Sequence, residues 1–349
     1  MKTTSVSSAA IANAARQSIL KTQAALLPAQ KEVATGRHAD IGLTLGQRAG
    51  HVVSLRQDFA RINGFIDMNA FATSRLDTTQ TVLGELRGLA DDFLGMLISA
   101  PDGKVGALAL RQQATSGLNA LVAGLNISLG GQHIFGGINS DRPPINDYFA
   151  DPTSDNRQAV QGAFFAAFGM AVDDPDVATI TASAMEDFLD GAFKDLFDDG
   201  NWMASWSSAS SEVMRTRISP TDTITSSVSA NEAAIRKLVM GFTMVADLGA
   251  EQLNAAAFER ITETATRLIA EGARDLAAIQ GRVGIAQARI EQVDQRLFLQ
   301  RDIISREIGA LESVDPFEAA TKVTDLMTRL EAGYALTARL QRLSLLNFL

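Results

Sequence analysis

Leu55–Leu97 reads LRQDFARINGFIDMNAFATSRLDTTQTVLGELRGLADDFLGML. Leu55, Phe59, Ile62, Ile66, Asn69, Thr73, Leu76, Gln80, Leu83, Leu86, Ala90, Phe93 and Leu97 recur there in steps of three and four. Most are apolar and the period is close to seven, which is the spacing of a coiled-coil seam. The helix so predicted runs from Arg48 to Ser99 and would extend about 78 Å. Pro101-Asp102-Gly103 breaks it, and a second helix is expected from Val105 to Leu129, stopped by Gly130-Gly131.

A seam buries one stripe and so calls for a partner. The partner lies far along the chain. Leu276, Ile279, Val283, Ala286, Ile290, Val293, Leu297, Gln300, Ile304 and Leu311 repeat the pattern within a helix expected over 253–311. Asn231 before Glu232 reads as the N-cap of the helical region that leads into it.

Outside the seams lie two further helical stretches. Residues 5–34 place Val6, Ile11, Ala14, Ile19 and Leu26 near one face. Pro28 either kinks this helix or opens a second segment at its first turn. Residues 35–47 are punctuated by glycine and read as a connector. Near the other end, Asp315-Pro316-Phe317-Glu318 is a start signal, with a capping Asp, a Pro at the first position and a Glu three after the cap. The helix it opens carries Leu326, Leu330, Leu336, Leu340, Leu343 and Leu346 at helical spacing. No charge follows Arg342, and Leu345, Phe348 and Leu349 carry the apolar surface around the rod. Burying one Leu is worth roughly 1.5–3 kcal/mol. Five or six left wet would forfeit a sum comparable to a domain's net stability of about 5–15 kcal/mol. The terminal stripes can cover one face of each other; the rest needs neighbours, which identical or related chains in a polymer supply.

Between the two halves the character changes. Residues 133–147, HIFGGINSDRPPIND, suggest short strands around Ile134 and Ile138 closed by Pro143-Pro144. Phe164, Phe165 and Phe168 suggest a local core, residues 182–197 have a helical period, and MRTRISPTDTITSSVS predicts a hairpin turning at Ser219-Pro220-Thr221-Asp222. The formal net charge is −9, and residues 141–200 hold 13 acidic against 3 basic residues, so this segment carries the excess. It reads as a solvated outer surface. An acidic belt repels phosphate, which argues against nucleic-acid binding.

The expected fold is therefore mainly α: a long antiparallel coiled-coil-like helical bundle formed by both chain ends, with a small mixed α/β insert in the middle. Three parts are expected: paired terminal helices over 1–47 and 312–349, a helical rod over 48–140 and 230–311, and an acidic outer part over 141–229. Hydrophobic residues make up 46% of the chain and aromatics only 6%, a balance that suits closely packed long helices.

The chemistry of enzymes is not visible. There is no cysteine, which excludes disulfides and thiolate sites. Nucleotide-binding glycine loops, zinc-protease and nucleophile-elbow motifs are missing. His38, His51 and His133 lie in or beside different segments. Asp173-Asp174-Pro175-Asp176 and Asp198-Asp199-Gly200 lack the alternating acids and closing Glu of a calcium loop and read as solvated turns. No cofactor or metal is expected. No run of 18 apolar residues occurs, so no spanning helix and no membrane insertion is expected. The first residues, MKTTSVSSAAIANAARQ, lack a continuous apolar core, so export without a cleaved signal is expected.

Four stretches carry a resemblance: LLPAQKEVATG (26–36), HIFGGINSDRPPIND (133–147), LESVDPFEAATKVTDL (311–326) and ARLQRLSLLNFL (338–349). Together they resemble the flagellin superfamily, and within it the chain looks most like the hook-associated protein 3 family, the hook–filament junction proteins. The closing LSLLNFL is similar to that family's Leu-Ser-Leu-Asn-aromatic ending, and the stretch from His133 is like its short hairpin after the second helix. The resemblance covers roughly 1–148 and 231–349, and Pro28 departs from the usual unbroken helix. It implies an extracellular flagellar component exported through the flagellar type III channel. The implied partners are further copies of itself in a ring or tube, another hook-associated protein on the hook side, flagellin on the filament side and an export chaperone. Its assembly surface would include Val6, Ile11, Ile19, Leu26, Leu326, Leu330, Leu336, Leu340, Leu343, Leu346, Phe348 and Leu349. The alternatives are a flagellin filament subunit and, in another class, a secreted helical effector or translocator. The Ala-rich ends and the scarcity of basic residues in the last turns argue against the latter.

Overall fold

A computed structural model of the chain describes residues 8–99, 103–150 and 152–346. Helix α1 spans Ser8–Thr35, and a connector follows with the short α2 (Ile41–Leu45), capped by Asp40 through its Oδ1 to Leu43 N at 2.9 Å. Helix α3 spans Ala49–Ser99 and α4 spans Lys104–Leu125. A two-residue-strand hairpin, β1 (Ser128–Leu129) and β2 (Gln132–His133), comes next. The middle continues with α5 (Asp155–Phe168), α6 (Ala182–Phe188), α7 (Asp199–Asn201) and a second hairpin, β3 (Arg215–Arg217) with β4 (Thr223–Thr225). Helices α8 (Ala233–Asp247), α9 (Ala255–Glu312) and α10 (Pro316–Leu346) complete the order. The architecture is mainly α, with long helices from both ends of the chain packed together and only small sheets between.

The residues divide into two compact units: 1–64 with 296–349, and 65–295. Helices α3 and α9 contribute to both.

In the unit formed by 65–295, α3 and α9 pack along their seams. Leu76, Leu83, Leu86, Ala90 and Phe93 of α3 are buried, as are Leu276, Ile279, Val283, Ile290 and Val293 of α9. The side chains of Asp77 and Gln287 meet across the pair at 2.6 Å. Helix α8 is the centre of this unit. Nearly every residue from Ala234 to Asp247 is buried, whichever way it points, because α4, α9 and the middle segment surround it. The ring of Phe242 stacks on Phe93 at 4.6 Å.

The middle segment is more ordered than its composition suggests. Tyr148, Trp206, Trp202 and Phe197 form a stack in which Tyr148 lies 5.2 Å from Trp206 and the two tryptophans lie 5.5 Å apart. A second group joins Phe164, Phe168, Phe188 and Phe193. Phe165, expected in that core, is instead 59% exposed, because on α5 the residue next to an inward-facing one points away. The hairpin at Ser219–Asp222 is as expected, with Asp222 N donating to Ser219 Oγ at 3.0 Å.

Several boundaries differ from the sequence reading. Pro28 lies inside an uninterrupted α1; it is solvent-exposed, as is Ala24, whose carbonyl it leaves unbonded, so water can satisfy that group. Helix α4 stops at Leu125, four residues early, because Asn126 turns its amide to the backbone of Ile145 (Nδ2 to O 2.8 Å, Oδ1 from N 2.9 Å). Gly130 and Gly131, at φ +60° and +80°, then form the tight turn of β1–β2 instead of ending a helix. The strands consequently precede Ile134 and Ile138: Ile134 is buried in the loop that follows, and Ile138 is exposed. Glu232, not Asn231, occupies the cap position of α8. Asn231 is occupied elsewhere, accepting from Trp202 Nε1 at 2.9 Å and Ser207 Oγ at 2.7 Å. Of the expected helix breaker, Pro101 and Asp102 lie outside the described residues.

Asp247, at the end of α8, is nearly buried and holds two elements of the middle segment. Tyr148 Oη donates to its Oδ2 at 3.0 Å, and Arg157 donates from Nε and Nη2 at 3.0 and 3.1 Å. Burial, and then the Asp247 carboxylate, push the Tyr148 phenol well above its ordinary value. The folded chain therefore keeps this proton where an unfolded tyrosine loses it, near pH 10. The stability it supplies is complete below that pH and is lost as pH rises beyond it. Tyr148→Phe should cost about 0.5–1.5 kcal/mol at neutral pH and flatten the alkaline decline; urea unfolding at pH 7 and at pH 10.5 measures both. An unchanged alkaline slope would count against the assignment.

Candidate assembly interface

The unit formed by 1–64 and 296–349 brings the two sequence-distant helices α1 and α10 together. They run antiparallel: Ile19 faces Gly333, Gln23 Nε2 donates to Tyr334 Oη at 2.7 Å, and Lys322 Nζ lies 3.1 Å from Glu32 Oε2. Small residues form the closest contacts. Ala29 and Ala319 are buried, and a Cβ on Gly333 would sit 2.9 Å from Ile19 Cγ1. Asp315 opens α10 as expected, its Oδ1 accepting from Phe317 N at 2.8 Å.

A polar clamp holds the connectors at one end of this pair. The side chain of Glu312 is fully buried and accepts from Arg56 Nε and Nη2 at 2.8 and 2.9 Å and from Arg37 Nη1 at 3.4 Å. Glu312 pushes the Arg56 guanidinium further above its ordinary value, by hydrogen bond and then by charge. Backbone bonds complete the clamp: His38 N to Glu312 O at 2.9 Å and Val314 N to Gly36 O at 3.0 Å. A short antiparallel bridge between Arg37 and Ser313 joins the two connectors.

The candidate surface residues divide into three groups. Ile19, Leu26, Leu326 and Leu330 are half-buried on the paired helices. Ile11 and Leu336 are exposed. Val6, Phe348 and Leu349, and the side chains of Leu340, Leu343 and Leu346, lie outside the described residues. The structure adds residues that the sequence reading passed over: Leu20, Leu27 and Val33 on α1, and Phe317, Met327 and Tyr334 on α10, all exposed. Leu27 is 70% and Phe317 84% accessible to solvent. The signal was present in the doublets Ile19-Leu20 and Leu26-Leu27, one heptad apart, which widen a single stripe into two adjoining faces. An open groove along α10, lined by Ala25, Phe317, Thr321, Leu326 and Arg329, runs beside this surface. Among the described residues no group of side chains could hold a metal ion, and no helix is long and apolar enough to cross a membrane.

Two paired helices, contributed by the two ends of one chain and left apolar on their outer faces, match a known pattern. The bacterial flagellin N-terminal helical region matches residues 6–140, and the bacterial flagellin C-terminal helical region matches residues 261–349. The chain belongs to the flagellin superfamily. It is thus a structural component of the bacterial flagellum, in a family of structural proteins. Among solved structures, one described as a flagellar hook-associated protein from Vibrio parahaemolyticus shares the fold, with a TM-score of 0.53 at 9% identity over 76% of this chain and 97% of that one. No curated protein matches the chain.

Gly333→Leu should push α10 away from Ile19 and cost the terminal pair about 1–3 kcal/mol. The expected result is slowed or lost assembly, with the thermal transition of the 65–295 unit in place; wild-type assembly kinetics would show that the close approach is dispensable.

Proposed function

We propose that this flagellar chain is a hook-associated protein that joins hook to filament through its terminal helices. The observation that carries the reading is the apolar surface left on α1 and α10 after they have paired: Leu20, Leu27, Phe317 and Met327 are exposed on helices that already cover each other's inner faces. Neighbouring subunits of a tube supply the missing cover. In this reading α1 and α10 form the inner layer, the α3–α9 seams the next, and residues 141–229, with their excess of acid, the solvent-facing part. The similarity of the tail Leu343–Leu349 to the junction family's ending favours a junction ring over the filament shaft. The partners are further copies of this chain, another hook-associated protein on the hook side, flagellin on the filament side, and a chaperone that covers the apolar ends before export through the type III channel.

The family match to flagellin helical regions gives the second reading, a filament subunit. Immuno-gold labelling of intact flagella separates the two. A junction protein gives a single point at the hook's tip, and a filament subunit labels the whole shaft. Removal of residues 340–349 should abolish assembly while the 65–295 unit keeps its helicity and unfolding transition. Wild-type assembly by that truncation would remove the basis for a role of the terminal helices.

A further inference from the structure

We infer that Asn69 is a register pin, a buried polar residue that fixes which turn of α3 faces which turn of α9 and seats the β3–β4 hairpin on the same turn. Asn69 has no solvent exposure, in a seam whose neighbours Ala72, Leu76, Ile290 and Val293 are buried and apolar. Its Nδ2 donates both to Asp294 Oδ1 on α9, at 2.6 Å, and to the carbonyl of Ile218 at the hairpin tip, at 3.1 Å. One amide thus ties three elements together.

The apolar seam cannot do this alone. Its near-seven period means that a slip by one heptad again sets apolar residues against apolar ones. The polar pair breaks that degeneracy. A slip brings Gln287 or Arg301 opposite Asn69 and Ile62 or Leu76 opposite Asp294, so the carboxylate faces hydrocarbon and the amide is parted from the Ile218 carbonyl. A buried polar group stripped of partners is costly, so the slipped register is excluded. Asp294 bears the cost of this position: burial raises its pKa, and the bond from Asn69 opposes the rise. The amide's own Oδ1 has no partner. The arrangement is therefore chosen for specificity, with stability still to be gained.

The absence of cysteine in the full chain permits a direct test. Nitroxide labels at Asp91→Cys and Ala288→Cys stand about fifteen residues apart along the seam, about 22 Å, since Asp77 meets Gln287. A one-heptad slip alters that separation by about 10 Å. The wild-type background should give one narrow distance in double electron–electron resonance. Asn69→Leu should add a second population displaced by about 10 Å, and the amides of Ile218 and Ser219 should exchange at least tenfold faster. Asp294→Asn keeps the acceptor and offers a donor to the free Oδ1, so a single distance and a raised Tm are expected. An unchanged single distance in Asn69→Leu, or a second distance in Asp294→Asn, overturns the inference. If Asn69→Leu does not fold, Asp294→Leu, at a less buried position, carries the same test with the same deciding outcomes.

Discussion

Two helices packed against each other hide one face each. Helices α1 and α10 carry more apolar surface than that, and the rest of the terminal unit follows from the excess. Their contact is narrow because it is built on Ala29, Ala319 and Gly333, which let the backbones approach but bury little hydrocarbon. The larger side chains flank that contact. Each fully buried Leu is worth roughly 1.5–3 kcal/mol, so the exposed set on α1 and α10 represents a driving force for association larger than the two-helix pair can use internally. A helix pair so constructed is marginal alone and gains most of its stability from whatever covers it.

The 65–295 unit has solved the opposite problem. From Leu238 to Ala246 helix α8 carries no charge and is buried at every position, a pattern that requires cover on every side. Two long helices and α4 do not suffice, and the middle segment supplies the remaining wall. Its acidic residues and its aromatic residues therefore serve different ends. The acids lie mostly outside; Tyr148, Trp202, Trp206 and Phe193 are fully buried. Asp247 and Asn231 anchor the wall at two points with bonds to side chains that the chain reaches much earlier.

The long helices were legible because their information is local and repeated. The seam from Leu55 to Leu97 is buried or half-buried at every predicted position, and Asp315 caps α10 as its motif requires. Failures occurred where a side chain bonds to something distant. Asn126 ends α4 by reaching Ile145, and Asn231 leaves its cap to hold Trp202. No window of sequence contains those partners. Gly333 was invisible for the same reason: glycine inside a helix has no local rationale until Ile19 is placed against it. The surface residues fall between these cases. Leu20 and Leu27 sit in an obvious pattern, but which of two adjoining stripes faces the partner helix is decided only by the approach at Gly333.

The Glu312 clamp shows why a polar device suits the point where the terminal helices meet the long ones. An apolar joint there would have to compete with the exposed faces of α1 and α10 for the same partners, and a non-directional contact cannot distinguish them. A buried carboxylate has only a few acceptable neighbours. Arg56 fills two of its acceptor sites in a forked geometry, Arg37 a third, and the backbone of His38 closes the turn. Both guanidinium groups are about half exposed, so they keep much of their hydration while the carboxylate gives up its own. The net stabilisation of such a cluster is modest, but a wrong pairing would leave a buried charge unmet, and that cost is large. The connectors are thereby fixed in one arrangement, and Leu20, Leu27, Phe317 and Met327 stay exposed among the described residues.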